Sequence, residues 1–154
     1  MKLGIKKNHE NEWLVHIGFV TVKLDRFSVE LLNITLEHLI ALDHGETHSI
    51  LQSYIAMGLK IKELDATGVQ LLVLESDNQD LLRLMQVAND KALNDILIKN
   101  AGGILARQLK SDFEKSAMPD TEVAKEAIKR IVETLFNLEA QGKIEFYDEN
   151  KRYI

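Results

Sequence analysis

The run Leu93-Asn-Asp-Ile-Leu-Ile-Lys-Asn-Ala-Gly-Gly-Ile-Leu-Ala-Arg-Gln-Leu-Lys-Ser-Asp-Phe113 constrains the fold of this chain more than any other stretch. Apolar residues recur there at Leu93, Ile96 and Leu97 and, after the break Asn100-Ala-Gly-Gly103, at Leu105, Leu109 and Phe113. That i, i+3, i+4 spacing predicts two short amphipathic helices, each with one apolar stripe. Helices this short are not stable alone in water, so each must bury its stripe against a neighbour.

The same texture runs on both sides of the pair. Asp65 is expected to cap a helix from Ala66 to about Ser76 with Val69, Leu72 and Val73 inward. After the break at Asp77-Asn-Gln, Leu81, Leu82, Leu84 and Met85 predict a helix ending near Ala88. Ser116 to Pro119 form a turn, and the longest helix follows over about Asp120 to Ala140, with Ile128, Ile131, Val132, Leu135 and Leu138 on one face. Gly142 stands where a left-handed C-cap residue belongs. Lys143-Ile-Glu-Phe-Tyr147 alternates as a terminal strand would, pairing with the N-terminal hairpin or with Lys151–Ile154.

Nearer the N-terminus, Leu3 and Ile5 alternate with polar residues as in an edge strand, and Trp13–Leu24 is rich in aromatic and β-branched residues, with Gly18 marking a bend. Ser28 is expected to cap a helix to about Leu42 with the stripe Val29, Leu32, Leu36, Leu39 and Ile40. Helical spacing resumes from Thr47 to Met57 through Ile50, Leu51, Tyr54 and Ile55. The expected architecture is mainly α: an armadillo-like helical bundle over residues 61–154, with a small N-terminal β-hairpin and helices over residues 1–60 packed on it.

Composition excludes several function classes. The 154 residues contain no cysteine, which removes disulfide and thiolate chemistry and fits a reducing compartment. A net charge of −5, with acidic and basic residues interspersed, provides no footprint for a phosphate backbone, so nucleic acid is not an expected partner. No apolar run reaches the roughly 18 to 20 residues of a membrane span, and the first residues lack the apolar core of a secretion signal. A soluble, unprocessed, cytoplasmic protein without membrane insertion is expected.

From about Glu63 to Ile154 the sequence resembles the C-terminal domain of FliG, the rotor switch protein of the bacterial flagellar motor. The likeness is carried by Leu64-Asp65, Val69-Gln70-Leu-Leu, Glu75-Ser-Asp77, Leu81-Leu82, Ala88, the run Leu93–Phe113, Ile131, Leu135, Leu138 and Gly142-Lys-Ile144, then by the tail Asp148–Ile154. The resemblance implies an armadillo-like helical domain with a ridge of charges that faces the stator. Most of those charges are replaced here: Gln86 stands where the family has a lysine, Ile104 where it has an arginine, and Ser111-Asp112 where it has an acidic pair, while a later arginine falls near Asp120. The family's apolar hinge falls near Ile55-Ala-Met-Gly58, and residues 1–60 resemble neither of its other domains. A charge-to-charge interface cannot be built from this set. The expected partner-binding residues are therefore Gln86, Ile104, Gln108, Ser111, Asp112 and Lys115, read as a contact of different chemistry.

Other chemistry is weaker. Asp43, His44, Glu46 and His48 fall within six residues, with His38 one or two turns upstream, but Gly45 interrupts the helix between His44 and His48 and no zincin spacing is present, so no metal is expected. Asn100-Ala-Gly-Gly-Ile104 lacks the lysine and hydroxyl of a phosphate loop and reads as a glycine-permissive turn. No serine, histidine and acid arrangement stands out. Lys125, Glu126, Lys129, Arg130 and Glu133 read as the wet side of the last helix, and Trp13, Phe19 and Phe27 as a small apolar cluster. These readings converge on a non-enzymatic protein without cofactor that binds a protein partner. The resemblance implies a flagellar motor or motor-assembly component, bound at the cytoplasmic flagellar base by an accessory or regulatory paralogue that lacks the family's ring-assembly domains. The competing reading is a cytosolic helical adaptor with a non-flagellar partner; oligomeric state is not legible.

Overall fold

A computed structural model of the chain describes residues 1–45 and 48–147. The chain divides into two compact units, Met1–Ser53 and Tyr54–Ile154.

The first unit opens with three antiparallel strands, β1 (Leu3–His9), β2 (Glu12–Ile17) and β3 (Val20–Leu24), in the order β1-β2-β3. The expected hairpin is thus a three-stranded meander. Gly18 makes the tight β2–β3 turn at φ 61°, the first central position of a two-residue loop, which favours glycine. Register fixes what each face carries. Leu3 pairs with Ile17, which pairs with Val20; Ile5 pairs with Val15 and Val15 with Val22; Lys7 pairs with Trp13 and Trp13 with Leu24. Directly paired residues share a face, so one side of the sheet is apolar except for Lys7, and the other carries Lys6, Leu14, Lys23, His16 and Thr21.

Helix α1 (Arg26–Ala41) follows on β3 and lies against β2 and β3. Its N-cap is Asp25, whose carboxylate accepts from the Ser28 amide at 2.8 Å; Ser28 is already inside the first turn. Phe27 is buried, but the stripe Leu32, Leu36, Leu39 and Ile40 stays largely exposed, against the expectation that it would be covered. Phe19 is fully exposed on the β2–β3 turn, and Trp13 is half-buried with Lys7 Nζ 5.4 Å from its ring, so the three aromatics do not form one cluster.

Helix α2 (Ile50–Gly58) leads into a single 3-10 turn, Leu59–Glu63, which the apolar spacing does not announce. The second unit then stacks α3 (Ala66–Glu75), α4 (Asn78–Ala88), α5 (Lys91–Asn100), α6 (Gly103–Lys115) and α7 (Thr121–Ala140). The pairings are α4 on α7, α5 on α6, α3 on α5, α4 on α6 and α3 on α7. The predicted inward residues are where the spacing puts them: Val69, Leu72 and Val73; Leu81, Leu82, Leu84 and Met85; Leu93 and Leu97; and Ile128, Ile131, Val132, Leu135 and Leu138 are all buried. Together with the N-terminal sheet this is the expected mainly α, armadillo-like class.

Aspartates start three of these helices by accepting a first-turn amide: Asp65 from Gly68 at 2.7 Å, Asp77 from Gln79 at 2.7 Å and Asp90 from Leu93 at 2.8 Å. The Leu93 amide, and after it Lys62 at 3.1 Å, hold the Asp90 carboxyl below the usual aspartate range. A depressed folded-state value means that this cap's contribution is complete above the unfolded pKa and is lost as pH falls through the folded one. NMR titration is expected to place Asp90 below a free aspartate; a midpoint at or above the free value contradicts the cap.

α7 closes in a Schellman turn, with Lys143 N–H donating to Leu138 O at 2.9 Å, Gly142 N–H to Glu139 O at 2.9 Å, and Gly142 at φ 71°. The expected terminal strand over Lys143–Tyr147 does not form. Ile144 is buried near Gly68, and Tyr147 N–H donates to Glu63 O at 2.8 Å, so the alternation of the segment reflects docking on the 3-10 turn and α3. Its expected pairing with Lys151–Ile154, like Glu46 and Thr47 of the histidine loop, lies outside the described residues.

Candidate functional site

Helix α6 is positioned from both ends. At its start Gly102 takes φ 78° and ψ 161°, a region essentially closed to side-chain-bearing residues, and its carbonyl accepts the Ala106 amide at 2.8 Å. No side chain caps this helix. Gly102→Ala is expected to cost about 1–3 kcal/mol, read by urea denaturation; no loss would mean that the turn adopts another geometry.

At its far end Gln86, on α4, is 6% exposed and donates from Nε2 to Ser116 O at 3.2 Å and Ala117 O at 3.0 Å. Both carbonyls belong to the turn that leaves α6, where helical partners run out. Gln86 thus departs from its expected role as a partner contact: its amide is committed inside the fold and locks α6 to α4. The signal was present in the sequence, because Gln86 lies four residues after buried Leu82, on the same inward stripe.

The inner side of α6 is Leu109, buried, with Leu105 and Phe113 half-buried beside it. The outer strip carries the remaining predicted residues. Ile104 is 85% exposed, Gln108 and Lys115 are exposed, and Ser111 and Asp112 are half-buried. Their spacing of four, three or four, and three or four places them in one line along the helix. The strip thus presents a bare isoleucine, an amide, a hydroxyl, one carboxylate and one ammonium.

One ion cluster escaped the sequence reading. Arg130, placed there on the wet side of α7, crosses to α4 and donates from Nε to Asp80 Oδ2 and from Nη2 to Asp80 Oδ1, both at 2.8 Å. Asp80 is 4% exposed and has Arg83 Nη1 at 3.5 Å. The hydrogen bonds to Asp80 raise the Arg130 pKa further, so the guanidinium stays charged at any working pH. Lys129 and Glu133, at 3.9 Å, do form the solvated pair that the i, i+4 spacing implies.

The histidine loop ties helices together. His48 Nε2 is 2.7 Å from Ser53 Oγ, which accepts from Thr35 Oγ1 at 3.0 Å, and the His38 and His48 rings lie 4.7 Å apart. Ser53 is fully buried, and with Thr35 and His48 it forms a hydrogen-bonded group within the first unit. Among the described residues no group of three potential ligands is placed to hold a metal.

Short helices packed about α4 and α7 define an armadillo-like scaffold. The model of the FliG C-terminal domain family matches residues 58–146, more than half of the chain, and the chain belongs to that family. It is thereby related to the rotor switch of the flagellar motor and to motility, and the family's domain is a structural, motor-switch unit. No curated protein matches the chain. No helix among the described residues is long and apolar enough to cross a membrane.

Proposed function

We propose that this chain is a non-enzymatic, FliG-like protein that binds a component of the flagellar motor or its assembly apparatus, as an accessory or regulatory paralogue rather than as the torque ring. The supporting observation is a match to the rotor-domain family over residues 58–146 together with a helix, α6, that turns Ile104 and Gln108 to solvent; the resemblance implies an arginine where Ile104 stands. Charged rims accelerate encounter and make binding salt-sensitive, whereas an apolar strip binds by desolvation. The partner surface is Ile104, Gln108, Ser111, Asp112 and Lys115, with Gln86 holding the helix that carries it. The place of action is the cytoplasmic side of the flagellar base.

Deleting the gene is expected to alter swimming or motor switching. Complementation with the wild-type chain restores it, and complementation with Ile104→Asp, at a position too exposed to perturb folding, does not. Unchanged motility in the deletion strain would remove the flagellar reading.

A further inference from the structure

We propose that the apolar face of the N-terminal sheet, together with α1, is the seat of a second copy of this chain, which is therefore a dimer through its first unit. The imbalance is geometric. A helix is about 10 Å wide and strands lie about 4.8 Å apart, so one helix covers roughly two strands. Helix α1 lies on β2 and β3 and leaves the β1 side of the apolar face open. Leu3 and Ile5 there are mostly exposed, and an apolar groove of about 230 Å³ runs between Ile5 and Val15 of the sheet and Leu32 and Leu36 of the helix.

The helix has a matching surplus. Val29, Leu32, Leu36 and Leu39 follow a three-four-three spacing, the seam along which two helices pair, and Ile40 beside them is 85% exposed. Placing a second α1 beside the first extends the helix layer over β1, and the twofold axis makes the favour mutual: each helix covers the other copy's open strand. The exposed fractions of Leu3 and Ile5 on β1 and of Leu32, Leu36, Leu39 and Ile40 on α1 amount to between three and four whole side chains, on the order of 600 Å² per copy, the lower end of what a stable interface takes from each partner. A heterologous partner would have to bring a surface of this same shape, which the chain already owns. Pairing by strand edges is disfavoured, because Lys6 and Lys7 on β1 and Lys23 on β3 charge both edges.

Sedimentation velocity on the full chain across the micromolar range is expected to show a concentration-dependent dimer. Ile40→Glu and, independently, Ile5→Glu should each weaken it at least about tenfold with helicity unchanged, since a carboxylate would have to be desolvated at the seam. Because the chain contains no cysteine, single substitutions report position cleanly. Ile40→Cys should cross-link copy to copy with a short bis-maleimide, and Lys6→Cys, on the polar side of the sheet, should not. A chain that stays monomeric, or a dimer indifferent to both glutamates, overturns the proposal. Neither result bears on the motor partner, whose strip lies on α6.

Discussion

Leu84→Ala is expected to destabilise the second unit by about 3–4 kcal/mol, a fall of roughly 15–25 °C in melting temperature for a unit of this size. Leu84 is fully buried on α4, the helix that packs against both α6 and α7, so its loss leaves a void that few neighbours can fill. One of those neighbours is Gly58. A Cβ built there would sit 2.7 Å from Leu84 Cδ1 and 3.4 Å from Cδ2. Gly58→Ala alone gains about 0.5–1 kcal/mol of backbone preference in a helical conformation but forces a fully packed leucine aside, at about 1–3 kcal/mol, so the net effect is a loss. In the double variant the added methyl occupies part of the void, and the two losses should sum to at least about 1 kcal/mol less than the singles predict. Strict additivity in denaturant titrations would mean that α2 does not end against α4.

The second large effect is at the clamp between α4 and α7. Arg130→Ala is expected to cost about 2–3 kcal/mol, because it leaves the buried Asp80 carboxylate with only the longer Arg83 contact. The Arg130 side chain is itself half exposed, which places the cost below that of a fully buried pair. Arg130→Lys keeps the charge but cannot donate two parallel bonds, and should recover only part of the loss. Equal stabilities for the alanine and lysine variants would show that a charge without the paired geometry contributes nothing, and full recovery by lysine would show that the two parallel bonds are dispensable. A loss under about 0.5 kcal/mol for alanine would show that water replaces the guanidinium without penalty.

The stacked helices were legible because their stripes and caps agree: Asp65 before Ala66, a leucine-rich α4, and Gly142 after α7 each restate locally what packing demands globally. Capping was misread at α1 because Asp25 and Ser28 compete three residues apart, and the carboxylate upstream takes the amide of the hydroxyl residue. The segment after Gly142 alternates like a strand, but one apolar side chain, Ile144, burying against α3 yields the same pattern without a ladder. At the candidate site, the choice of the α6 face is what the family resemblance implies, and helical periodicity adds only that Ile104, Gln108, Ser111, Asp112 and Lys115 lie along it. The contacts of Gln86 and of the Asp80–Arg130 pair follow from neither, since both join helices more than twenty-five residues apart in sequence. The spacing of α1 predicts a buried stripe by the usual rule for amphipathic helices; its exposure is what points to a second copy.

A motor component docked on the proposed α6 strip must come within reach of residue 104. Photo-cross-linking in cells of the native organism, with the reactive residue at position 104 and a control at position 133 on the solvated side of α7, tests it most directly. A flagellar motor or motor-assembly protein is expected to be joined at 104 and absent at 133. Adducts at 104 drawn only from proteins outside the motor, or identical adducts at both positions, would contradict it.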